Sequence, residues 1–273
     1  MIGRGSMRGV VLAAVVPLSS AASCRKGDDE MGFRLRYTHL ADVEAVRASV
    51  DVEVNGIVVR RLPELEDRDR ADYDPINEKV DLTRWIEDGD NEVVFRVAPG
   101  DDSGLQHRSL ELRSEDVQEG GSETIFASDS RELGVFRTTV TFGGDAVCDE
   151  LTPAERDEVV ARVRLLHDAV TRADKSAIEP MLPPGDELAD LLWAGFEAHR
   201  KAFGGGPPEV SPFRNERLKI TKSCRNDAVF VNANDGAPLI RYEFSSSGGR
   251  ARSIGALFGF AFRKVKGEWF LVY

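Results

Sequence analysis

Three titratable side chains in the C-terminal half of the sequence lie on segments with an apolar face. Helical spacing of about 100° per residue places His167 and His199 on the apolar stripes of two helical segments, and Tyr242 alternates with apolar residues along a strand. Burial can move the pKa of such groups toward the working pH, as general acid–base catalysis requires. We therefore predict a candidate pocket formed by His167, His199 and Tyr242. Trp193, from the same segment as His199, belongs to this candidate pocket.

The same residues have a structural interpretation, in which each histidine borders the core and is hydrogen-bonded to a backbone carbonyl. No inward-facing Asp or Glu completes a dyad, and the sequence lacks the serine-hydrolase elbow, the Walker loop, the dinucleotide fingerprint and the zinc-protease helix. Neither Cys148 nor Cys224 has a neighbouring Cys or His at ligand spacing, so we predict no metal and no cofactor. A catalytic pocket and a non-catalytic role both stay open at this point.

The charge of the chain argues against two classes of partner. Its 273 residues carry a formal net charge of −11, with a pI near 5.0. Nucleic-acid binding needs a clustered excess of Lys and Arg, and docking on anionic lipid headgroups needs a basic patch. We therefore expect no nucleic-acid partner and no membrane contact through a basic protein surface.

The N-terminus has the composition of an export signal. Two arginines precede an apolar run over residues 10–18, and small residues follow over 19–23. The apolar run is shorter than the roughly 20 residues that a transmembrane helix needs. We predict a signal peptide over residues 1–23, with translation from either Met1 or Met7, and therefore an exported protein.

The segment "SAASC" at residues 20–24 resembles the lipobox of bacterial lipoproteins. The resemblance implies that Cys24 becomes the first residue of the mature protein and carries a thioether-linked lipid. Ala21 stands where the family usually has Leu, which leaves cleavage by an ordinary signal peptidase as the alternative. With lipidation, residues 24–32 form a tether that attaches the protein to a membrane through its N-terminal lipid. The expected location is the bacterial cell envelope, at the periplasmic or outer-membrane face.

The cysteine count bears on the same question. The chain has three cysteines, at positions 24, 148 and 224, and an unpaired thiol is unusual in an oxidising compartment. If Cys24 is lipidated, Cys148 and Cys224 remain as a predicted disulfide, which would stabilise the fold by about 4–5 kcal/mol in the chain-entropy model. The alternative is two buried free thiols.

Residues 33–147 alternate between apolar and polar side chains in short runs, which is typical of half-buried strands. The Asn55-Gly56 pair predicts a two-residue hairpin turn between two of these runs. Because a β-sandwich buries such one-faced strands, we predict an all-β, jelly-roll-like sandwich domain over residues 33–147. The predicted strands lie in "FRLRY", "VDVEVNGIVV", "NEVVFRV" and "VFRTTVTF".

The segment "VDLTRWIEDGDNEVVFRV" at residues 80–97 resembles a strand-turn-strand motif of galactose-binding-like jelly-roll domains. That family often binds sugars and sometimes calcium, so carbohydrate recognition by this half is a further hypothesis. Sugar binding usually uses exposed aromatic platforms, whereas we predict that Trp85 lies in the core. Arginines are interleaved in the acidic segment 67–74 and the Gly of an EF-hand loop is missing, so no calcium site is predicted there.

A helix signature begins at residue 152. Thr152 as N-cap, Pro153 at the first helical position and Glu155 predict a capping box. Asp174 predicts the start of a short second helix, and residues 186–203 have the apolar spacing of a third. The apolar stripe of the first helix is Val159, Val163, Leu166 and Val170. The predicted strands that follow lie in "ERLKITKS", "AVFVNA", "LIRYEF" and "ALFGFAFRKVKGEWFLVY".

This order of helices and then strands is similar to the nuclear transport factor 2-like fold over residues 148–273. The resemblance is most specific in "LLHDAVTRADKSAIEPML" and in the terminal strand-turn-strand with Trp269. It implies an α+β cone in which helices pack on a curved antiparallel sheet. Enzymes of that fold place an acid–base group in an apolar cavity, whereas other members are dimerisation, ligand-binding or structural modules, so the fold does not select a function. The strand before Lys266 is apolar on both faces, which predicts that both faces are covered.

The sequence favours an exported, lipid-anchored envelope protein with a non-catalytic binding or scaffolding role. Its partner would be an unknown envelope protein or a small ligand. The alternative is a small-molecule enzyme or carrier that uses the C-terminal cavity with His167, His199 and Tyr242.

Overall fold

The structure of the protein is a computed structural model. It describes residues 35–63, 75–99, 108–142, 149–182, 188–203, 205–245 and 252–272. The predicted signal peptide and tether, the acidic segment 67–74, Cys24 and Cys148 lie outside the described residues. Most described residues belong to β-strands in antiparallel sheets, and the α-helices lie in the C-terminal half. No described helix is long and apolar enough to cross a membrane.

The first eight strands form two four-stranded antiparallel sheets. They are β1 (Tyr37–Ala45), β2 (Ala48–Val54), β3 (Ile57–Leu62), β4 (Ile76–Asp81), β5 (Gly89–Pro99), β6 (Arg108–Asp116), β7 (Gly121–Ser130) and β8 (Gly134–Phe142). The strand orders are β4-β1-β6-β7 and β3-β2-β5-β8. One apolar cluster joins the inner faces of these two sheets, and it includes strand residues from Ala41 to Phe142.

The hairpin of β2 and β3 is confirmed at the predicted turn. Asn55 and Gly56 have φ angles of 51° and 78°, a region that Asn and Gly tolerate best. The three valines of β2 that share a face are at most 1% exposed, and so lie in the core as their alternation predicts. Trp85 is 7% exposed and belongs to the same core, which confirms that it is a core residue and no sugar platform.

The predicted first strand is wrong at its start. In "FRLRY" the regular strand begins only at Tyr37, and Leu35 lies before it. Leu35 is 5% exposed because it packs in a small separate cluster against the C-terminal sheet. The members of that cluster are Leu35, Ala228, Phe230, Ala261 and Val272. The position of Leu35 is therefore set by contacts with residues that are distant in the sequence.

The described residues of the C-terminal part form two α-helices and two further antiparallel sheets. The helices are α1 (Pro153–Arg172) and α2 (Leu188–Ala202). The strands are β9 (Glu209–Val210), β10 (Leu218–Ser223), β11 (Ala228–Ala233), β12 (Ile240–Ser245), β13 (Arg252–Leu257), β14 (Gly259–Val265) and β15 (Glu268–Val272). The sheet orders are β10-β11-β14-β15 and β13-β12-β9.

The capping box of α1 is confirmed. Thr152 Oγ1 accepts a hydrogen bond from the backbone N–H of Glu155 at 3.2 Å, and Glu155 Oε2 accepts one from the backbone N–H of Thr152 at 3.1 Å. The helix ends at Arg172, and its C-cap Ala173 has a left-handed φ of 53°. The predicted stripe is buried: Val159, Val163, Leu166 and Val170 are at most 4% exposed.

The predicted second helix is wrong in type. Residues after Asp174 form two single 3-10 turns, Lys175–Ala177 and Glu179–Met181. Pro180 lies inside the segment, and proline removes an N–H donor that a continuous α-helix needs. The Asp174 carboxylate accepts a hydrogen bond from the Ser176 hydroxyl at 2.7 Å.

The sheet of β11 and β14 is covered on both faces, as the apolar strand before Lys266 predicts. All six residues of β11 are buried, as are the first four of β14. On one face, Val229, Val231 and Phe262 belong to the core formed with α1. On the other, Phe230 and Ala261 pack against Leu35. The segment before β1 therefore contributes to covering the second face.

Candidate functional site

The C-terminal core contains a small apolar cavity where the sequence predicts a pocket. Its volume is about 30 Å³, and aromatic and aliphatic side chains surround it. Those that bear on the prediction are Leu166, Val170, Trp193, Phe196 and Tyr242. A cavity of this size has room for about two water molecules, whereas small-molecule pockets measure about 300–1,000 Å³. The cavity formed by the described residues is therefore far smaller than a typical small-molecule pocket.

The structure brings two of the four predicted pocket residues together. Trp193 and Tyr242 both line the cavity, and the ring of Phe196 lies between them with centroid distances of 4.6 and 5.1 Å. His167 and His199 are not among the described lining residues.

His167 connects α1 to the segment after β9. Its side chain is buried, and Nε2 donates a hydrogen bond to the backbone carbonyl of Ser211 at 2.7 Å. Nδ1 lies 3.7 Å from the Asp168 carboxylate, which is half exposed. This geometry fits the structural interpretation, in which the histidine borders the core and bonds to a carbonyl.

His199 connects α2 to β13 in a similar way. Its Nδ1 lies 2.5 Å from the hydroxyl of Ser253, and Ser253 is only 3% exposed. A Ser–His pair resembles the nucleophile and base of acyl transfer. A nucleophile must reach its substrate, however, and Ser253 is buried. No carboxylate hydrogen-bonds to His199 among the residues that the structure describes, so we interpret the pair as a structural contact.

The Ser253 contact was missed by sequence reasoning. It depends on the register in which Ser253 pairs with Phe244 of β12, and no local pattern reveals that register. Tyr242, on the same strand as Phe244, has a buried hydroxyl, and this burial raises its pKa. The hydroxyl therefore stays protonated and is suited to donating a hydrogen bond rather than to acting as a base.

A second cluster of functional interest lies between the N-terminal sheets and the C-terminal sheet. We call it the joint, and it consists of Tyr37, His39, the segment Arg84–Asp88, Phe142, the turn Cys224–Asp227, Lys219, Asn232 and Gly259. The turn Cys224–Asp227 connects β10 to β11. The joint was not predicted from the sequence, since residues in contact within it, such as Tyr37 and Asn226, are as far as 189 positions apart.

Among the residues that the structure describes, two hydrogen bonds and the guanidinium of Arg225 connect the turn to the N-terminal half. The backbone N–H of Cys224 donates to Asp88 Oδ2 at 2.7 Å, and the backbone N–H of Tyr37 donates to Asn226 Oδ1 at 2.8 Å. The guanidinium of Arg225 lies 5.0 Å from the ring centroid of Tyr37 and 5.4 Å from that of Phe142.

Further polar contacts continue the joint along β11 and β14. Arg84 Nη1 donates to the carbonyl of Gly259 at 2.6 Å, and Asn232 Nδ2 donates to the carbonyl of Arg84. Lys219 forms an ion pair with Glu87. Gly259 suits this close approach, because a Cβ there would lie 2.3 Å from Asn232 Oδ1 and 2.9 Å from a backbone oxygen.

Several buried polar atoms of the joint have no hydrogen-bond partner among the described residues. They are both ring nitrogens of His39, Asp88 Oδ1 and Asn232 Oδ1. His39 is 1% exposed, and its burial lowers its pKa to about 4. Such unpaired polar atoms are costly, which makes the joint a less favourable contact than the two apolar cores that it connects.

Cys224 at the start of the turn is disulfide-bonded. Both other cysteines lie outside the described residues, so the pairing of Cys224 with Cys148 stays a prediction. Among the described residues no group of three or more His, Cys, Asp or Glu side chains is arranged to hold a metal ion.

A polar groove lies on the strands β1, β4 and β6. Its volume is about 190 Å³, and its lining is Asp42, Glu44, Asn77, Lys79, Ser109 and Glu111. Arg113 pairs with Asp42, and Thr124 donates a hydrogen bond to Glu111 at 2.7 Å. Carboxylates of this groove are therefore engaged by neighbouring side chains of the protein.

Comparisons of the chain with protein-family models, curated proteins and solved structures gave no match. Function is therefore inferred from the residues and their geometry.

Proposed function

We propose that the protein is an exported, lipid-anchored component of the bacterial cell envelope with a non-catalytic binding or scaffolding role. In this proposal residues 33–147 are a jelly-roll-like β-sandwich and residues 148–273 are a nuclear transport factor 2-like α+β cone. The signal-like N-terminus and the lipobox-like segment ending at Cys24 support the location. The partner is an envelope protein or a small ligand bound at the surface.

The observation that carries the non-catalytic role is the small size of the cavity in the C-terminal core. The cavity beside Tyr242 has a volume of about 30 Å³. The buried His167 donates a hydrogen bond to the Ser211 carbonyl, and the partly exposed His199 contacts the Ser253 hydroxyl. An acid–base enzyme needs its catalytic group within hydrogen-bond reach of a bound substrate. The small cavity and these contacts support a structural role, in packing and hydrogen bonding, for His167, His199 and Tyr242.

The anchoring is tested by metabolic labelling with radioactive palmitate in a bacterial host. We expect the full chain to incorporate label and to fractionate with membranes, and the Cys24→Ser variant to do neither. Equal labelling of the two proteins would contradict the lipid anchor. An unlabelled but exported wild-type protein would instead support cleavage by an ordinary signal peptidase near Ala21.

The alternative function is a small-molecule carrier or enzyme, and the cavity lined by Trp193 and Tyr242 is the observation that favours it. Native mass spectrometry of the full chain purified from host membranes distinguishes the two. The non-catalytic proposal expects no stoichiometric small molecule in the C-terminal core. A bound molecule that is lost in a Tyr242→Phe variant, but kept in a variant of the exposed Val135, would overturn the proposal.

A further inference from the structure

His39 is a buried histidine of the joint whose two ring nitrogens have no hydrogen-bond partner among the described residues. It lies on the face of β1 that also presents Ala41 to the N-terminal core, and 1% of its surface is exposed. Its ring packs edge-on against Phe142, with a centroid distance of 4.5 Å and an interplanar angle of 86°. The other side of the joint approaches the same aromatic ring, because the guanidinium of Arg225 lies 5.4 Å from the centroid of Phe142.

We propose that His39 makes the joint acid-sensitive, so that its protonation separates the turn Cys224–Asp227 from the N-terminal sheets. The backbone of His39 is fixed, since its N–H bonds to Thr83 Oγ1 at 2.9 Å and its carbonyl accepts from Leu82 at 2.8 Å. The ring cannot leave for solvent while these bonds and the Phe142 contact persist. A proton on the ring is therefore accommodated by opening the joint rather than by turning the side chain outward.

The charges around the ring oppose its protonation in the closed joint. Both ring nitrogens lack a hydrogen-bond partner among the described residues, so no acceptor stabilises an imidazolium. Arg225, on the turn, adds a like charge that disfavours the cation, and among the described residues Asp81, at the end of β4, is the group that favours it. Desolvation is the largest effect, and together these groups lower the pKa of His39 from 6.5 to about 4.

The direction of the pH effect follows from the lowered pKa. Above pH 6.5 the ring is neutral in the closed and the open joint, and the closed joint keeps its full stability. Between pH 6.5 and about 4 the open form binds the proton and the closed form does not, so closure weakens as the pH falls. The ratio of open to closed joint should rise about 30-fold between pH 7.5 and pH 5.

The polar composition of the joint favours a separate opening. The apolar cores on each side each contain about twenty buried hydrophobic residues. The turn is instead held by hydrogen bonds and a cation–π contact, and unpaired buried polar atoms lie next to it on His39, Asp88 and Asn232. Regions with few apolar contacts open at lower free energy than the cores that they connect. Opening would uncover Asn226, which is 1% exposed in the closed joint, and would expose the partly buried ring of Tyr37 further. This inference does not depend on the proposed cellular location.

Native-state hydrogen exchange of the full mature chain tests the proposal at pH 7.5 and pH 5, with rates corrected for intrinsic exchange. The amides of Tyr37 and Cys224 report on the joint, because each donates across it, and the amide of Val163 in α1 reports on a core. At pH 5 we expect the amides of Tyr37 and Cys224 to be less protected from exchange than that of Val163. Their exchange rates should depend only weakly on low concentrations of denaturant, because a local opening exposes little surface. Joint amides that exchange together with Val163, with the same denaturant dependence, would show that the joint does not open by itself and would overturn the proposal.

The His39→Phe variant removes the titrating group and keeps an aromatic ring against Phe142. The pH dependence of protection at Tyr37 should disappear in it and persist in His167→Phe, the control for another buried histidine. If His39→Phe does not fold, the ring of His39 is titrated by NMR in the unaltered protein. Titration below pH 5 supports the proposal, and titration near the ordinary value of 6.5 overturns it.

Discussion

The ring of Tyr242 lies against the backbone of Gly255, its directly opposite residue on β12 and β13. A Cβ placed on Gly255 would lie 2.1 Å from Tyr242 Cζ, closer than non-bonded atoms approach. Tyr242 cannot yield easily, because it is 8% exposed and its ring meets Phe196 and Phe244 at centroid distances of 5.1 and 5.8 Å. The glycine is therefore required by the aromatic packing of the C-terminal core.

The Gly255→Ala variant should be less stable than wild type. Overpacking of a close-packed core typically costs about 1–3 kcal/mol, and we expect a loss in that range in the free energy of unfolding measured with urea. Gly121 is the control, since a Cβ there meets nothing within 4 Å. Equal stabilities of the Gly255→Ala and Gly121→Ala variants would contradict the assigned packing of Tyr242.

The cavity beside Val170 can be filled by one methyl group. Its volume is about 30 Å³, and burying a methylene is worth about 0.8 kcal/mol. The Val170→Ile variant should therefore unfold at a higher urea concentration than wild type. Val163→Ile is the matched control, because Val163 is fully buried on the same helix and does not line the cavity. We expect that control to be destabilised. A destabilised Val170→Ile variant would mean that the space is not available.

The features that the sequence predicts well are local. The Asn55-Gly56 turn and the Thr152 capping box each depend on residues within three or four positions, and both are confirmed. Apart from Tyr37, β1 was not predicted, and neither were β6 and β7, because charged residues such as Asp42, Glu44 and Arg113 interrupt the alternation of apolar and polar side chains in these segments. Those charges are accommodated by cross-strand pairs, as between Arg113 and Asp42, which only the sheet register brings together.

The candidate sites depend on contacts between residues that are far apart in the sequence, and sequence periodicity predicts only some of their residues. It correctly places His167 on the buried face of α1 and Tyr242 on a buried strand face. It does not reveal that Ser211 and Ser253 engage the two histidines, since those partners are 44 and 54 positions away. The joint is even harder to predict from the sequence, because its contacting residues Tyr37 and Asn226 are separated by 189 positions.

The capping box of α1 should contribute measurably to stability. Replacing an N-cap Thr by Ala typically costs about 1 kcal/mol, and we expect such a loss for Thr152→Ala in urea unfolding at pH 7. Thr171→Ala is the control, because Thr171 lies on the same helix and its hydroxyl only back-bonds to the His167 carbonyl. Equal effects of the two substitutions would argue against a specific role of the N-cap.

Stability from the capping box should also depend on pH. The backbone N–H and the hydroxyl of Thr152, with the Lys264 ammonium, lower the pKa of Glu155 below its ordinary value of 4.5. This contribution is present above pH 4.5 and is lost as the pH falls through the lowered folded value. The Glu155→Gln variant should therefore be less stable than wild type at pH 7 and approach it at low pH. A difference in stability that does not change with pH would contradict the role of the carboxylate.

Asn226 should be the most sensitive single position of the joint. It is 1% exposed, and its Oδ1 accepts the hydrogen bond from the backbone N–H of Tyr37. In Asn226→Ala that N–H loses its partner, and leaving a buried donor unpaired costs about 1–3 kcal/mol. We expect a loss of this size, together with faster amide exchange at Tyr37. Asn234→Ala is the control, because Asn234 is exposed on a neighbouring turn and surface substitutions usually change stability by less than about 0.5 kcal/mol.

The Asn226→Asp variant separates the loss of the hydrogen bond from the loss of packing. Aspartate keeps the shape of the side chain and an oxygen that can accept from the N–H of Tyr37, so exchange at that amide should remain near the wild-type rate. The neighbouring guanidinium of Arg263, which donates to the backbone carbonyl of Asn226, adds a favourable charge for the aspartate. If the amide of Tyr37 exchanges as fast in Asn226→Asp as in Asn226→Ala, the joint depends on the neutral amide group of Asn226 and not on its acceptor oxygen.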